Sequence, residues 1–130
     1  MKNSPKKKLT PLPKLLKKAQ EKFNAHVRER DKDFGCISCG AEVQQAGHYH
    51  SQGQHSGLRF GLPDSLAYYN TNGQCIRCNM FLSGNLIRYR LGLVSRYGEE
   101  FVKELEEYAL NNPLKKWTRS ELEEIINQYK

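Results

Sequence analysis

The side chains best suited to chemistry are four cysteines arranged as two C-x-x-C pairs, Cys36-Ile37-Ser38-Cys39 and Cys75-Ile76-Arg77-Cys78. A pair at this spacing presents two sulfurs to one ion from a tight turn, which Gly40 suits after the first pair. Two such pairs complete a tetrahedron, the geometry Zn²⁺ takes with its favoured sulfur ligands. Disulfides are the competing use of four cysteines, but no secretory leader is evident and no thioredoxin-like βαβ pattern surrounds the pairs. One structural zinc on Cys36, Cys39, Cys75 and Cys78 is therefore expected. Four protein thiolates close the site, so that zinc should replace missing core rather than react.

The pairs are separated by 35 residues, a long gap for a zinc ribbon, and the insert carries His48, His50, His55 and Asn70, with Asn79 directly after Cys78. A single histidine is most often buried or hydrogen-bonded at a surface. Three within eight residues beside a metal knuckle give a second metal site or a proton-transfer site equal standing with that reading.

These residues need elements to hold them. A chain of 130 residues forms one compact domain with a modest core. Residues 1–10 have nothing to bury and read as a disordered basic arm. From about Pro11 to Asp31, within a segment taken as 11–32, Leu12, Leu15, Leu16, Ala19, Phe23 and Val27 recur at helical steps between lysines and arginines. Residues 33–97 form the metal-held core, with strand-like pieces at 41–49, 58–62 and 66–69 and a helix over Asn79–Tyr97. Residues 98–130 read as amphipathic helices, the last opened by a Thr118/Glu121 capping box. That acidic helix could cap the core or pair two copies in a homodimer. The architecture expected is α+β.

Charge is unevenly placed: residues 1–32 carry a net +8, residues 33–97 a net +2 and residues 98–130 a net −3. A basic front is the footprint of a polyanion binder, although a run such as Lys6-Lys7-Lys8 is as often a solvated tail. Lys6, Lys7, Lys8, Arg28, Arg30 and Arg59 are the candidate nucleic-acid contacts. No apolar run is long enough for a bilayer and no apolar segment follows the first lysines, so a cytoplasmic protein without membrane attachment is expected.

A histidine in a strand, an asparagine five residues before a C-x-x-C and another directly after it resemble the HNH (ββα-metal) nucleases that carry a zinc knuckle pair. The segment Asn72-Gly73-Gln74-Cys75-Ile76-Arg77-Cys78-Asn79, with Leu82-Ser83-Gly84-Asn85, Cys36-Ile37-Ser38-Cys39-Gly40 and Ala46-Gly47-His48-Tyr49, resembles the NinG (Rap) recombination proteins of lambdoid phages over residues 12–100. The phage resolvase endonuclease VII is a more distant likeness. The resemblance implies an HNH-like ββα core and a structure-selective DNA endonuclease acting on Holliday-junction or D-loop type intermediates in a bacterial host cell, alongside other recombination proteins. It implies His48 as general base, Asn70 as the residue orienting that imidazole, and Asn79 as ligand to a catalytic Mg²⁺ or Mn²⁺. Related nucleases place an acidic ligand just before the base, where this chain has Gly47; His50, Asp64 or Asn85 are the candidate substitutes. Gly47 also supports an alternative, a non-catalytic zinc-stabilised module that binds DNA or a recombination partner. A zinc-stabilised protein-interaction domain is the third reading.

Overall fold

Leu15, Ala19, Phe23 and Val27 recur every four residues, and in the computed structural model, which describes residues 9–111 and 114–130, they are the buried stripe of helix α1 (Leu12–Asp31). Pro13 sits in its first turn, where no intrahelical N–H is needed. The stripe seats Phe23 edge-on against Phe60, Tyr68 and Tyr129, with ring centroids 6.2, 6.0 and 5.3 Å away. Helix α4 (Arg119–Gln128) closes this cluster with Leu122, Ile125 and Ile126. Its capping box forms as the sequence predicts: Glu121 N–H donates to Thr118 Oγ1, and Thr118 N–H donates to the Glu121 carboxylate.

Strands β1 (Gln45–His48) and β2 (Thr71–Gln74) form an antiparallel two-stranded sheet, pairing Gln45 with Gln74 and His48 with Thr71. α1 packs against both strands. Beyond the sheet, α2 (Leu86–Tyr97) and α3 (Glu99–Asn111) bury Tyr89, Leu93, Val102 and Leu105 together with Ile37 and Leu58. Gly98, at φ +93°, makes the turn between these helices. Mid-helix Gly92 lets α2 approach the first knuckle: a Cβ there would lie 1.9 Å from the Ile37 carbonyl oxygen.

A buried ionic link joins three elements. Asp31, 1% exposed, binds the Arg30 guanidinium through both oxygens at 2.8 Å and accepts the Gly73 N–H at 2.7 Å. Arg96 of α2 lies 3.7 Å from the same carboxylate. Unpaired, that carboxylate would be costly to bury; paired, it fixes how α1, β2 and α2 meet.

Two readings of the sequence need correcting. The strand-like pieces at 41–49, 58–62 and 66–69 reduce to one short strand and to 3₁₀ turns at Ser56–Leu58 and Leu66–Asn70. Their apolar side chains fill the space between helices instead of pairing in a ladder. The helix expected over Asn79–Tyr97 begins only at Leu86, after a π-helical turn at Arg77–Phe81. Ser83, Gly84 and Asn85, at φ of 50°, 90° and 46°, interrupt it, and a left-handed run cannot continue a right-handed helix. Met80, Phe81, Leu82, Leu86 and Ile87 are consequently exposed.

Candidate metal centre and the polar site beside it

The two C-x-x-C turns face each other across the end of the sheet. All four cysteine sulfurs lie within 4.8 Å of one another, and Cys39 Sγ is 3.6 Å from Cys75 Sγ. That is far too long for a disulfide and close to the ~3.8 Å edge of a tetrahedron with ~2.3 Å Zn–S bonds. Local structure makes each turn. Gly40, at φ +80°, donates its N–H to the Cys36 carbonyl at 2.8 Å, and Cys36 N–H reaches the Ala41 carbonyl at 2.7 Å. In the second turn the Cys78 N–H points at Cys75 Sγ at 3.4 Å, and the Asn85 amide donates to Cys78 Sγ at 3.5 Å. Burial raises the Cys75 thiol, but the Cys78 amide and the neighbouring sulfurs outweigh it and bring it down to about 7. Burial pushes Cys78 up to about 12. Four sulfurs this close favour a cation among them, so the cluster can hold a metal ion such as zinc.

His48 ends β1. Its Nε2 lies 2.9 Å from the backbone carbonyl of Arg59. A carbonyl only accepts, so Nε2 carries the proton and, in the neutral ring, Nδ1 carries the lone pair. Burial is the largest influence and lowers the His48 pKa; the Arg59 carbonyl opposes it, and the Arg59 charge adds to it. The imidazole is thus held neutral with one nitrogen free to take a proton.

Asn70 does not reach that ring. Fully buried, it receives the His50 N–H at 2.9 Å and donates to the carbonyls of His50 and Leu58 at 3.0 and 3.1 Å. It ties the ends of the insert loop together; the Arg59 carbonyl is what orients His48. His50 and His55 lie ring to ring at 5.2 Å, and His50 Nε2 and His55 Nδ1 are buried without hydrogen-bond partners. His50 is lowered by burial and then by His55.

Asn79 sits in the π-helical turn and donates its amide N–H to Gln45 Oε1 at 2.8 Å, which leaves its own carbonyl oxygen to face Gly47. Gln74, fully buried on β2, donates its amide to the Gly84 carbonyl at 2.8 Å and to Ser38 Oγ at 2.9 Å. Sequence reasoning missed Gln74, because no local pattern shows that the amide of a strand residue is enclosed on one side by a knuckle. Asp64 and Asn85 are not gathered here: Asn85 serves the cysteine cluster, and Asp64 lines a separate cavity with Phe60 and Trp117.

Among the basic residues, Arg28 is exposed towards the end of α1, and Lys14, Lys17 and Lys18 are exposed in its first half. Arg30 is committed to Asp31, to the Thr71 carbonyl at 2.9 Å and to Asn72 Oδ1 at 3.2 Å, and its guanidinium lies over the Tyr68 ring. Arg59 is half-buried, its Nε donating to Gln20 Oε1 at 3.0 Å, next to His48. Lys6, Lys7 and Lys8 lie outside the described residues. No described helix is long and apolar enough to cross a membrane.

A family model described as Bacteriophage Lambda NinG protein matches residues 2–130. Protein ninG of Escherichia phage lambda is 40% identical over 124 residues, covering 93% of this chain and 56% of that protein. The ninG proteins of Escherichia phage 933W and Salmonella phage P22 are 39% and 37% identical, each over 93% of this chain and 57% of the relative. The chain thus spans just over half the length of these relatives. No solved structure matches it.

Proposed function

The chain belongs to the NinG family, and from that premise we propose that it is a metal-dependent endonuclease cutting branched DNA recombination intermediates. Zinc in the four-cysteine cluster is structural in this reading, and His48 is the general base. The observation that carries it is the His48–Arg59 hydrogen bond, which fixes a neutral imidazole with Nδ1 unprotonated at the end of β1, the strand paired with β2. Such a ring can take the proton from a water attacking a phosphodiester, and a depressed pKa keeps it in the working form at neutral pH. A divalent cation at such a centre supplies charge to stabilise the phosphorane and the leaving 3′ oxygen. Exposed Lys14, Lys17 and Lys18 in the first half of α1 give a basic patch for the phosphate backbone, and Arg28 adds a charge further along the helix beyond exposed Glu21.

A second reading, a non-catalytic zinc-stabilised module binding DNA or a recombination partner, draws on one observation: Gly47 puts no carboxylate beside the base. Incubating the zinc-loaded protein with a labelled four-way junction separates the two. Nicks that appear only when Mg²⁺ or Mn²⁺ is added to the zinc-loaded protein and that spare the linear duplex support the nuclease. Tight junction binding with no nicks in either cation supports the module.

A further inference from the structure

Trp117, the single tryptophan of the chain, walls an open cleft between the start of α1 and the segment leading into α4. The cleft measures about 370 Å³, at the small end of the roughly 300–1,000 Å³ range of ligand pockets. Leu12, Leu16 and Trp117 give it an apolar lining, Arg59, Lys115 and Lys116 supply its charge, and no carboxylate lines it. The indole is a fixed wall. Its Nε1 donates to the Ser56 carbonyl at 2.9 Å, and its ring centroid lies 4.5 Å from that of Phe60.

The three cations differ in how they are matched. Lys115 pairs with Glu121 at 2.6 Å and lies over the indole, 4.7 Å from its centroid. Arg59 and Lys116 make no ion pair among the described residues. Arg59 is half-buried, its Nε donates to the neutral Gln20 amide, and burial alone lowers its pKa. A half-buried guanidinium without a carboxylate beside it favours an incoming anion. Charge also excludes one occupant: the chain's own first residues, Lys6, Lys7 and Lys8 among them, carry the wrong sign for this cleft. An apolar seat rimmed by cations matches a nucleotide, whose base has flat stacking faces and whose flanking phosphates are anionic. A base inside a duplex is covered by its neighbours, so the cleft can take only a base that is out of the stack.

We propose that this cleft seats an unpaired DNA base, with the flanking phosphates on Arg59 and Lys116. The inference rests on the DNA substrate of the nuclease reading, though not on cutting, and deepens it: branched DNA offers unstacked bases that a linear duplex does not. Arg59 joins the two sites, because its backbone carbonyl holds His48 Nε2 at 2.9 Å while its side chain lines the cleft.

Trp117 emission reports on the cleft in the unmodified, zinc-loaded protein. An oligo-dT of about ten nucleotides should quench it saturably, and a blunt linear duplex of equal length should change it little. Lys116→Ala should lower the salt slope of oligo-dT binding by about 0.7, for one lost single-strand phosphate contact. Leu12→Asn removes apolar contact at an exposed first-turn position without adding charge, and should weaken binding about fivefold. Absence of quenching by oligo-dT overturns the proposal whether or not the variants fold. Equal quenching by poly-glutamate would make the cleft a seat for an acidic peptide, and equal quenching by the duplex a plain phosphate contact. Either overturns the proposal, as does wild-type oligo-dT affinity in folded Leu12→Asn. Saturable quenching in a protein that cuts no junction supports the site and removes only the nuclease reading. Junction cutting with no effect on Trp117 removes the site and leaves the nuclease reading standing.

Discussion

His48 Nε2 and the backbone carbonyl of Arg59 are 2.9 Å apart, so a residue from the insert loop, not a neighbouring side chain, decides which imidazole nitrogen is free. Because the partner is backbone, substitution of the Arg59 side chain leaves the bond in place while removing its charge.

This separates two contributions in a pH profile. The base must be neutral, and burial together with the Arg59 charge holds the His48 pKa below 6.5. Single-turnover cutting should therefore be flat at neutrality and fall only as pH drops below 6.5. In Arg59→Met the lost positive charge makes protonation easier, so the acid limb should move up. A limb that stays put, or moves down, would show that the titrating group is not His48.

Removal of the metal should unfold the core. Cys75→Ser or Cys78→Ser leaves three sulfurs in a site closed by four, and structural zinc supplies on the order of 10 kcal/mol of apparent folding free energy in small domains. Elemental analysis should give about one zinc per chain, and chelator should abolish the cooperative thermal transition. A sharp transition retained in the zinc-free protein would contradict the structural role.

Two arginines two residues apart should behave differently. Arg28→Ala removes an exposed charge and should lower the salt slope of DNA binding by about 0.9 for one lost phosphate contact, with stability almost unchanged. Arg30→Ala breaks the buried link to Asp31 and should cost about 3–5 kcal/mol in denaturant unfolding. Equal effects of the two on salt slope would mean that Arg30 leaves Asp31 to reach DNA.

Gly92→Ala tests the packing of α2 on the first knuckle. Helix propensity favours alanine by about 1 kcal/mol. Against it, the new methyl would meet the Ile37 carbonyl at 1.9 Å, where backbone cannot yield cheaply. Net destabilisation is expected in a thermal melt, with the spectrum of a cobalt-substituted cysteine site perturbed. A stabilised protein would show that α2 and the knuckle are not in this contact.

What the sequence conveyed best was local. The cysteine spacing, the buried stripe of α1 and the Thr118/Glu121 box each depend on a few residues whose separation is their geometry. What it concealed was tertiary. The sheet is built from Gln-Ala-Gly-His and Thr-Asn-Gly-Gln, polar stretches with no alternation, while apolar pieces that looked like strands became packing between helices. The break before α2 lies in Ser83-Gly84-Asn85, a turn-forming run masked by the helical spacing of Leu82, Leu86 and Tyr89 on either side of it. His48 stood out through its neighbours His50 and His55, yet its partner Arg59 is 11 residues away and acts through its backbone. Gln74 acquires meaning only once Gly84, Ser38 and Gly47 surround it.

The most direct test of the central claim is the single-turnover rate on a pre-bound four-way junction in saturating Mn²⁺, compared between wild type and His48→Ala. The substitution removes the proton acceptor and little of the binding surface, so the rate should fall about 10²–10⁴-fold while junction affinity stays within about twofold. Cutting by His48→Ala at the wild-type rate would contradict the assignment of His48 as general base.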